Sequence, residues 1–111
     1  MSGIQPGDVA IALFTGAHRG KHRPAVVVST DAYHAARPDV ILSLLTTQVP
    51  RVMTAFDYPL QDWAAAGLHQ ASVFRLYLET TLQAHVTVIG HLSDGDWREV
   101  QVRLRLGLAV T

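Results

Sequence analysis

A group of cationic side chains at the start of an apolar run is the part of this chain best suited to chemistry. His18, Lys21 and Arg23 follow one another in a glycine-punctuated segment without acidic residues, and Pro24 opens the apolar run PAVVVS. Arginine is charged at any working pH and presents a planar set of N–H donors that matches phosphate oxygens. Because proline fixes its own φ angle, we expect Arg23 to be held rigidly where loop becomes strand. The cluster therefore predicts a phosphate-binding site, with a solvated loop cation as the alternative.

Hydroxyl groups end a second apolar run. Thr46, Thr47 and Gln48 follow the stretch VILSLL, and their side chains can bind phosphate or ribose oxygens. They would serve the same site as Arg23 if the end of this strand lies beside the start of the Arg23 strand. The alternative is that the two threonines are present for their β propensity alone.

Two further arginines and one histidine extend this hypothesis. Arg75 is the one charge in the alternating apolar segment VFRLYL, so it either reaches solvent or points into the same cleft as Arg23. Arg51 lies just after the threonines and would lengthen a cationic track. An unperturbed imidazole changes its charge near neutrality, so His18 is the nearest candidate acid or base, although a solvated loop histidine is equally compatible with its position.

The composition excludes several classes of site. The chain has no cysteine, which excludes disulfides, thiolate metal sites and cysteine nucleophiles. His18 and His22 are four residues apart, but Gly20 disfavours a helix there and no carboxylate is near, so we predict no metal site. No glycine-rich segment has the strand–loop–helix context of a nucleotide-binding loop. Since the formal net charge is +0, any polyanion must be bound by local charge.

The elements that must position these residues are mostly short strands. Apolar or alternating runs predict strands at residues 9–14, 24–29, 39–47, 51–56, 71–78 and 86–90. One helical turn is expected at residues 31–37, ended by Pro38, and a C-terminal helix begins after Ser93 as its N-cap. So many short strands with so little helix predict a small antiparallel barrel or sandwich rather than a parallel sheet.

The C-terminal helix carries two apolar stripes at helical spacing. One consists of Trp97, Val100, Leu104 and Leu108, and the opposite one of Val102, Leu106 and Ala109. One stripe can pack on the sheet, but the second has no obvious partner in so small a domain. We expect the second stripe at a subunit or partner interface, with a helix buried on both sides of a monomer as the alternative.

Length and hydropathy favour one soluble domain. The 111 residues show no internal repeat, so we predict a single domain over residues 1–111. No apolar run approaches bilayer length, and the first residues lack the basic and hydrophobic parts of a signal peptide. We expect a cytoplasmic protein that does not bind membranes.

Taken in order, these motifs resemble those of the PemK/MazF family of toxins. The shared blocks are GDV at 7–9, KHRPAVVVS at 21–29, TTQ at 46–48, AGL at 66–68, SVFR at 72–75, TL at 81–82 and IGHLS at 89–93. The resemblance covers nearly the whole chain and implies one toxin domain folded as an SH3-like barrel with a C-terminal helix. It also implies a homodimer, a cognate antitoxin as partner, and ribosome-independent cleavage of single-stranded RNA.

The resemblance also implies roles for individual residues. Arg23 matches the family's catalytic arginine, Thr46 its catalytic threonine, and Arg75 an arginine implicated in some members. His18 occupies the loop of a histidine proposed to act in some members, and Tyr77 stands where certain members have an aspartate. The flanking polar residues are candidates for binding RNA: Lys21, Thr47, Gln48 and Arg51. No cofactor is expected, because RNA supplies its own nucleophile, the 2′-hydroxyl.

Two other functions remain open at the level of sequence. A toxin of the same fold can inhibit a protein target such as DNA gyrase, as the CcdB proteins do, although those lack the Arg-Pro and threonine motifs present here. A noncatalytic RNA-binding or regulatory dimer is the second alternative.

Overall fold

In the computed structural model, residues 3–14 and 20–110 are described, and they form a six-stranded antiparallel sheet with two helices. The strands are β1 (Asp8–Phe14), β2 (Lys21–Val27), β3 (Asp39–Thr46), β4 (Asp57–Pro59), β5 (Val73–Leu82) and β6 (Thr87–His91). Helix α1 spans Asp31–Ala36, helix α2 spans Asp94–Gly107, and a 3₁₀ turn at Gln83–His85 joins β5 to β6. The strand order is β4-β5-β3-β2-β1-β6. The predicted class, a mostly β antiparallel fold with a C-terminal helix, is confirmed.

The sheet curls into a half-barrel, and each of its faces covers a separate apolar core. We call the side on which α2 packs the helix face; its core includes Val9, Val26, Leu45, Phe74 and Val100. The opposite side, the inner face, has a core that includes Ala12, Phe14, Ala25, Leu42 and Leu44. Because side chains alternate along a strand, the continuous apolar runs of β1, β2 and β3 supply both cores. This explains why these strands lack a polar side.

Helix α2 begins as predicted. The Ser93 hydroxyl accepts a hydrogen bond from the Asp96 backbone N–H at 3.2 Å, which satisfies one of the free amides of the first turn. The first apolar stripe packs on the helix-face core through Val100, with Trp97 and Leu104 partly buried beside it. This packing fixes the helix against the sheet.

The last part of α2 departs from the predicted pattern. Leu108 is the residue after the helix and is exposed to 39%, so it does not continue the packed stripe. On the second stripe, Leu106 is 60% exposed within this single chain.

Neither helix of the described residues is long and apolar enough to cross a membrane.

Several predicted strands have different boundaries in the structure; β5, for example, spans Val73–Leu82 instead of residues 71–78. β2 begins at Lys21 rather than Pro24, because β1 continues far enough to pair with it there. The strand predicted at residues 51–56 is wrong: this segment is irregular, and the fourth strand is Asp57–Pro59, paired with the start of β5. In place of a strand, residues 54–57 form a turn, in which the Asp57 N–H donates to the Thr54 carbonyl at 3.2 Å.

Candidate functional site

The strand register places the two principal candidate residues on the same face of the sheet. Arg23 lies opposite Ala12 of β1, and Ala25, two residues further along β2, lies opposite Leu44 of β3. Continuing this register by two residues sets Arg23 across from Thr46, the last residue of β3. Residues directly opposite share a face, and side chains alternate along each strand. Both side chains therefore belong to the inner face.

The position of Arg23 differs from the sequence-based expectation. Arg23 lies within β2 and not in the loop before it, so Pro24 does not mark the boundary between loop and strand. Pro24 is opposite Ile11 of β1, and the pairing of β2 with β3 begins only at the next residue, Ala25. Proline has no N–H to donate to a ladder, which is consistent with the pairing of β2 and β3 beginning after it. The backbone of Arg23 is thus paired on one side only, with β1.

Arg23 is half-buried, and part of its guanidinium is removed from water. Its Nε atom is inaccessible to solvent and has no hydrogen-bond partner among residues 3–14 and 20–110. A buried donor without an acceptor costs about 1–3 kcal/mol. A charged donor held in this state interacts strongly with any anion that reaches it, because the water that would otherwise compete has already been displaced.

Thr46 presents a hydroxyl at the end of β3. The residue is 9% exposed, and its Oγ1 accepts a hydrogen bond from the Gln48 backbone N–H at 3.1 Å. This bond orients the oxygen while leaving the hydroxyl proton available. Within the described part of the chain, that proton has no acceptor. The hydroxyl can therefore donate to an oxygen of a bound molecule.

A second cation, Arg75, lies on the inner face one strand further on. Arg75 of β5 is opposite Asp57 of β4, and its Nε is 3.5 Å from Asp57 Oδ1. The Arg75 side chain is 45% exposed, whereas that of Asp57 is only 5% exposed. Thr46 is opposite Val73, two residues before Arg75 along β5. The sheet thus places Arg75 diagonally next to Thr46 on the same face.

Asp57 is itself held in place by the turn before it. Its Oδ2 accepts from the Thr54 backbone N–H at 2.9 Å and from the Thr54 hydroxyl at 3.0 Å. Sequence reasoning missed this carboxylate, because Asp57 lies between the strands predicted at residues 51–56 and 71–78. The spacing Thr-x-x-Asp, typical of a side-chain-stabilised turn, is the signal that could have found it.

Strand β4 is anchored to helix α2 by a second buried carboxylate. Asp96 is 1% exposed, and it accepts from the Tyr58 hydroxyl at 2.6 Å and from the backbone N–H groups of Gln61 and Asp62 at 3.1 and 2.9 Å. Burial, together with the hydrogen bond to Asp96, raises the pKa of Tyr58 above its usual value. Because Asp57 directly precedes Tyr58, this anchor also fixes the position of the Asp57–Arg75 pair.

The remaining candidates are more dispersed. Lys21 is exposed and lies opposite Phe14, on the inner face, whereas Thr47, Gln48 and Arg51 are exposed beyond the end of β3. Thr47 lines a cavity of about 210 Å³ together with Pro24 and Ile11, on the helix face. The structure therefore does not bring Thr47 to the face that holds Arg23 and Thr46.

Two further predictions concern His18 and metal binding. His18 lies outside the described residues. Among those that are described, no group of three or more His, Cys, Asp or Glu side chains is arranged to hold a metal ion.

Comparison with solved structures identifies the fold. Over 97% of its length the chain matches 98% of a MazE–MazF crystal structure from Deinococcus radiodurans, with a TM-score of 0.75 and 19% identity. It matches an endoribonuclease in complex with its cognate antitoxin from Mycobacterial species with a TM-score of 0.74 and 19% identity, covering 97% of this chain and 99% of that one. The Mycobacterium tuberculosis toxin MazF-mt6 gives a TM-score of 0.71 at 21% identity, covering 87% and 91%.

The family assignment comes from the sequence itself. A search of curated proteins found no match. The model of the PemK-like, MazF-like toxins of type II toxin–antitoxin systems, however, matches residues 5–108. Nearly the whole chain, including every strand and helix described above, lies within that match, and the fold comparisons agree with it. This protein therefore belongs to the PemK-like, MazF-like toxin family of type II toxin–antitoxin systems.

Proposed function

We propose that this chain is an endoribonuclease toxin that cleaves single-stranded RNA without a metal ion or cofactor. The 2′-oxygen of a ribose attacks the adjacent phosphorus, and the bond from phosphorus to the 5′-oxygen of the next nucleotide breaks. The 2′-hydroxyl loses a proton, the leaving oxygen gains one, and the products are a 2′,3′-cyclic phosphate and a 5′-hydroxyl. The enzyme must hold the attacking oxygen in line and stabilise the additional charge on the phosphate.

The observation that carries this proposal is the desolvated guanidinium of Arg23 on the same face as the Thr46 hydroxyl. Arg23 Nε is buried without a partner among the described residues, which is a destabilising arrangement unless an anion completes it. A phosphate whose charge increases in the transition state gains most from such a donor. By the strand register, Thr46 lies opposite Arg23 on the neighbouring strand and on the same face. Its hydroxyl donates a hydrogen bond to a phosphate or ribose oxygen.

The other cations have secondary roles in this proposal. Arg75 binds a neighbouring phosphate or base, and Lys21 adds positive charge on the same face. Because the formal net charge of the chain is +0, RNA is attracted by this face and not by the molecule as a whole. The acid and base of the reaction are not assigned from the described residues; His18 remains a predicted candidate.

Two observations support the proposed protein partners: the antitoxin complexes of similar structures and an exposed apolar side chain on α2. Antitoxin complexes are known for the Mycobacterial and Deinococcus radiodurans structures that this chain resembles, and we propose a cognate antitoxin here. We also propose a homodimer, because Leu106, on the apolar stripe of α2 that does not pack on the sheet, is 60% exposed in the single chain. We propose the cytoplasm as the location, since the proposed substrate is RNA.

The test uses the substrate chemistry. Purified protein is incubated with one defined RNA sequence prepared as natural RNA, as DNA and as 2′-methoxy RNA, each with and without a chelator. We expect chelator-resistant cuts in natural RNA alone, with cyclic phosphate ends, because only that substrate carries the nucleophile. Cuts in DNA or 2′-methoxy RNA, or loss of cleavage on chelation, contradict the mechanism. Binding without any cuts, or inhibition of DNA gyrase in a parallel assay, supports one of the other two functions instead.

A further inference from the structure

A cavity of about 310 Å³ opens on the inner face beside Arg75. Its wall combines a carboxylate, a guanidinium and two aromatic rings, and its lining includes Leu44, Thr54, Phe56, Asp57, Arg75 and Tyr77. Phe56 is 40% exposed. Tyr77 packs against the inner-face core, where its ring lies 6.3 Å from that of Phe14. A planar group that enters the cavity thus meets aromatic surface as well as two charged groups.

The two oxygens of Asp57 differ in what they can still accept. Oδ2 already accepts two hydrogen bonds from Thr54, which use both of its lone pairs. Oδ1 faces Arg75 Nε at 3.5 Å, a distance longer than that of a charge-assisted hydrogen bond. The buried carboxylate therefore offers one acceptor, Oδ1, held in a fixed direction by the Thr54 turn. The guanidinium of Arg75 beside it has further N–H donors that the contact with Asp57 does not use.

We infer that this cavity binds a nucleobase whose Watson–Crick edge has an amino donor next to a ring-nitrogen acceptor, adenine or cytosine, of the RNA strand being cut. The inference rests on the proposed function. The amino group donates to Asp57 Oδ1, and the neighbouring ring nitrogen accepts from Arg75. Phe56 supplies the stacking surface, which is a general means of holding unpaired bases.

The hydrogen-bonding capacity of Asp57 selects against the other two bases. The Watson–Crick edge of guanine presents two adjacent donors, and Oδ2 is not available for the second. Uracil has its donor between two carbonyl oxygens, one of which would face the buried carboxylate. Adenine and cytosine have the amino donor at the end of the edge, where a single acceptor suffices.

The position of the cavity is compatible with a base close to the scissile phosphate. Arg75 is one strand away from Thr46 and two residues further along. With strands about 4.8 Å apart and about 3.3 Å per residue, the two positions are roughly 8 Å apart. A nucleotide bound with its phosphate at Thr46 and Arg23 can place a base of the same or the adjacent nucleotide in the cavity.

The decisive experiment replaces one acceptor with a donor through Asp57→Asn. The carbonyl oxygen of the asparagine stays with the two Thr54 donors, so its amide nitrogen takes the place of Oδ1. We expect the preference for adenine or cytosine at one position flanking the cut to be lost, by about 10-fold in relative cleavage, because the amide nitrogen cannot accept from the amino group of the base. The assay is sequencing of cut sites in a single-stranded RNA pool of random sequence. The matched control is Asp94→Asn, which removes the same charge at an exposed position of α2.

A second variant and a binding experiment distinguish this inference from the nuclease proposal. Phe56→Ala removes the stacking surface at an exposed position, and we expect it to weaken the base preference at that same position. Competition between oligo-A, oligo-C and oligo-U made of uncleavable 2′-methoxy RNA measures base preference without any reaction. If wild type cuts RNA but neither variant alters the preference, the base pocket is wrong and the nuclease stands. If no cuts occur but Asp57→Asn abolishes the binding preference, the pocket stands and the nuclease falls. A wild-type preference for uracil or guanine overturns the assignment of adenine or cytosine to the cavity.

Discussion

Replacing Arg23 with methionine separates a catalytic role from a structural one by the sign of the stability change. Methionine fills a similar volume but has no N–H donor and no charge. Since Arg23 Nε is buried without a partner among the described residues, its removal ends a desolvation penalty instead of breaking a bond. We expect Arg23→Met to unfold at a higher denaturant concentration than wild type while losing RNA cleavage.

The size of both effects follows from the environment of the side chain. An unsatisfied buried donor costs about 1–3 kcal/mol. Because the residue is only half-buried, we take the low end and expect a gain of about 1 kcal/mol, or roughly 4–6 °C in melting temperature for a domain of this size. Loss of one donor to the charge that develops in a transition state lowers the rate about 100- to 1,000-fold.

Two measurements on the same protein preparation test this reasoning. Urea unfolding followed by circular dichroism gives the free energy of unfolding, and single-turnover cleavage of a labelled RNA gives the rate. The control is Arg98→Met on the exposed side of α2, for which stability should change by less than about 0.5 kcal/mol and the rate should stay the same. If Arg23→Met loses stability in parallel with activity, Arg23 is a structural residue and the proposed site is wrong.

Two further substitutions test the parts of the site that flank Arg23. Thr46→Val removes the hydroxyl at nearly constant volume and should slow cleavage about 10- to 100-fold, whereas Thr46→Ser should retain most of the rate; equal rates for the two variants, in the same single-turnover assay, would exclude a role for the hydroxyl. Tyr58→Phe removes a hydrogen bond to the buried Asp96 carboxylate and should cost about 1.5–3 kcal/mol near neutral pH. The folded state raises the pKa of Tyr58, so this contribution is complete below about pH 10, the unfolded value, and is lost as the pH rises towards the folded value. Urea unfolding at pH 7 and pH 11 should therefore show a smaller difference between wild type and Tyr58→Phe at the higher pH, and an unchanged or larger difference would contradict the assigned pKa shift.

Residue types and local patterns were sufficient for most of the fold. The continuous apolar runs predicted β1, β2 and β3 because a strand buried on both sides needs apolar residues at every position. Ser93 predicted the start of α2 because a hydroxyl before an acidic first turn is a strong local signal. The failures occurred where local preference is weak. Residues 51–56 alternate without being paired, and β4 is three residues long, stabilised by its contact with β5 rather than by its own sequence.

The candidate residues themselves could also be selected from the sequence, because a charged side chain or a pair of hydroxyls beside a buried strand is unusual. Their arrangement could not. The shared face of Arg23 and Thr46 depends on the register between β2 and β3, and a shift of one residue would send one of them to the opposite side.

Asp57 is the clearest example of a residue whose type is given by the sequence but whose role depends on the tertiary structure. The chain carries nine acidic residues, and the local Thr-x-x-Asp spacing marks this one only as part of a turn, not as part of a site. It becomes part of the site only because β4 pairs with β5 and brings its carboxylate to Arg75, which lies 18 positions later in the chain. The sequence by itself determined which chemical groups the protein has and the class of fold that carries them. The tertiary structure alone decided which groups meet, because hydrogen-bonded pairing between distant segments sets both the neighbour and the face of every side chain.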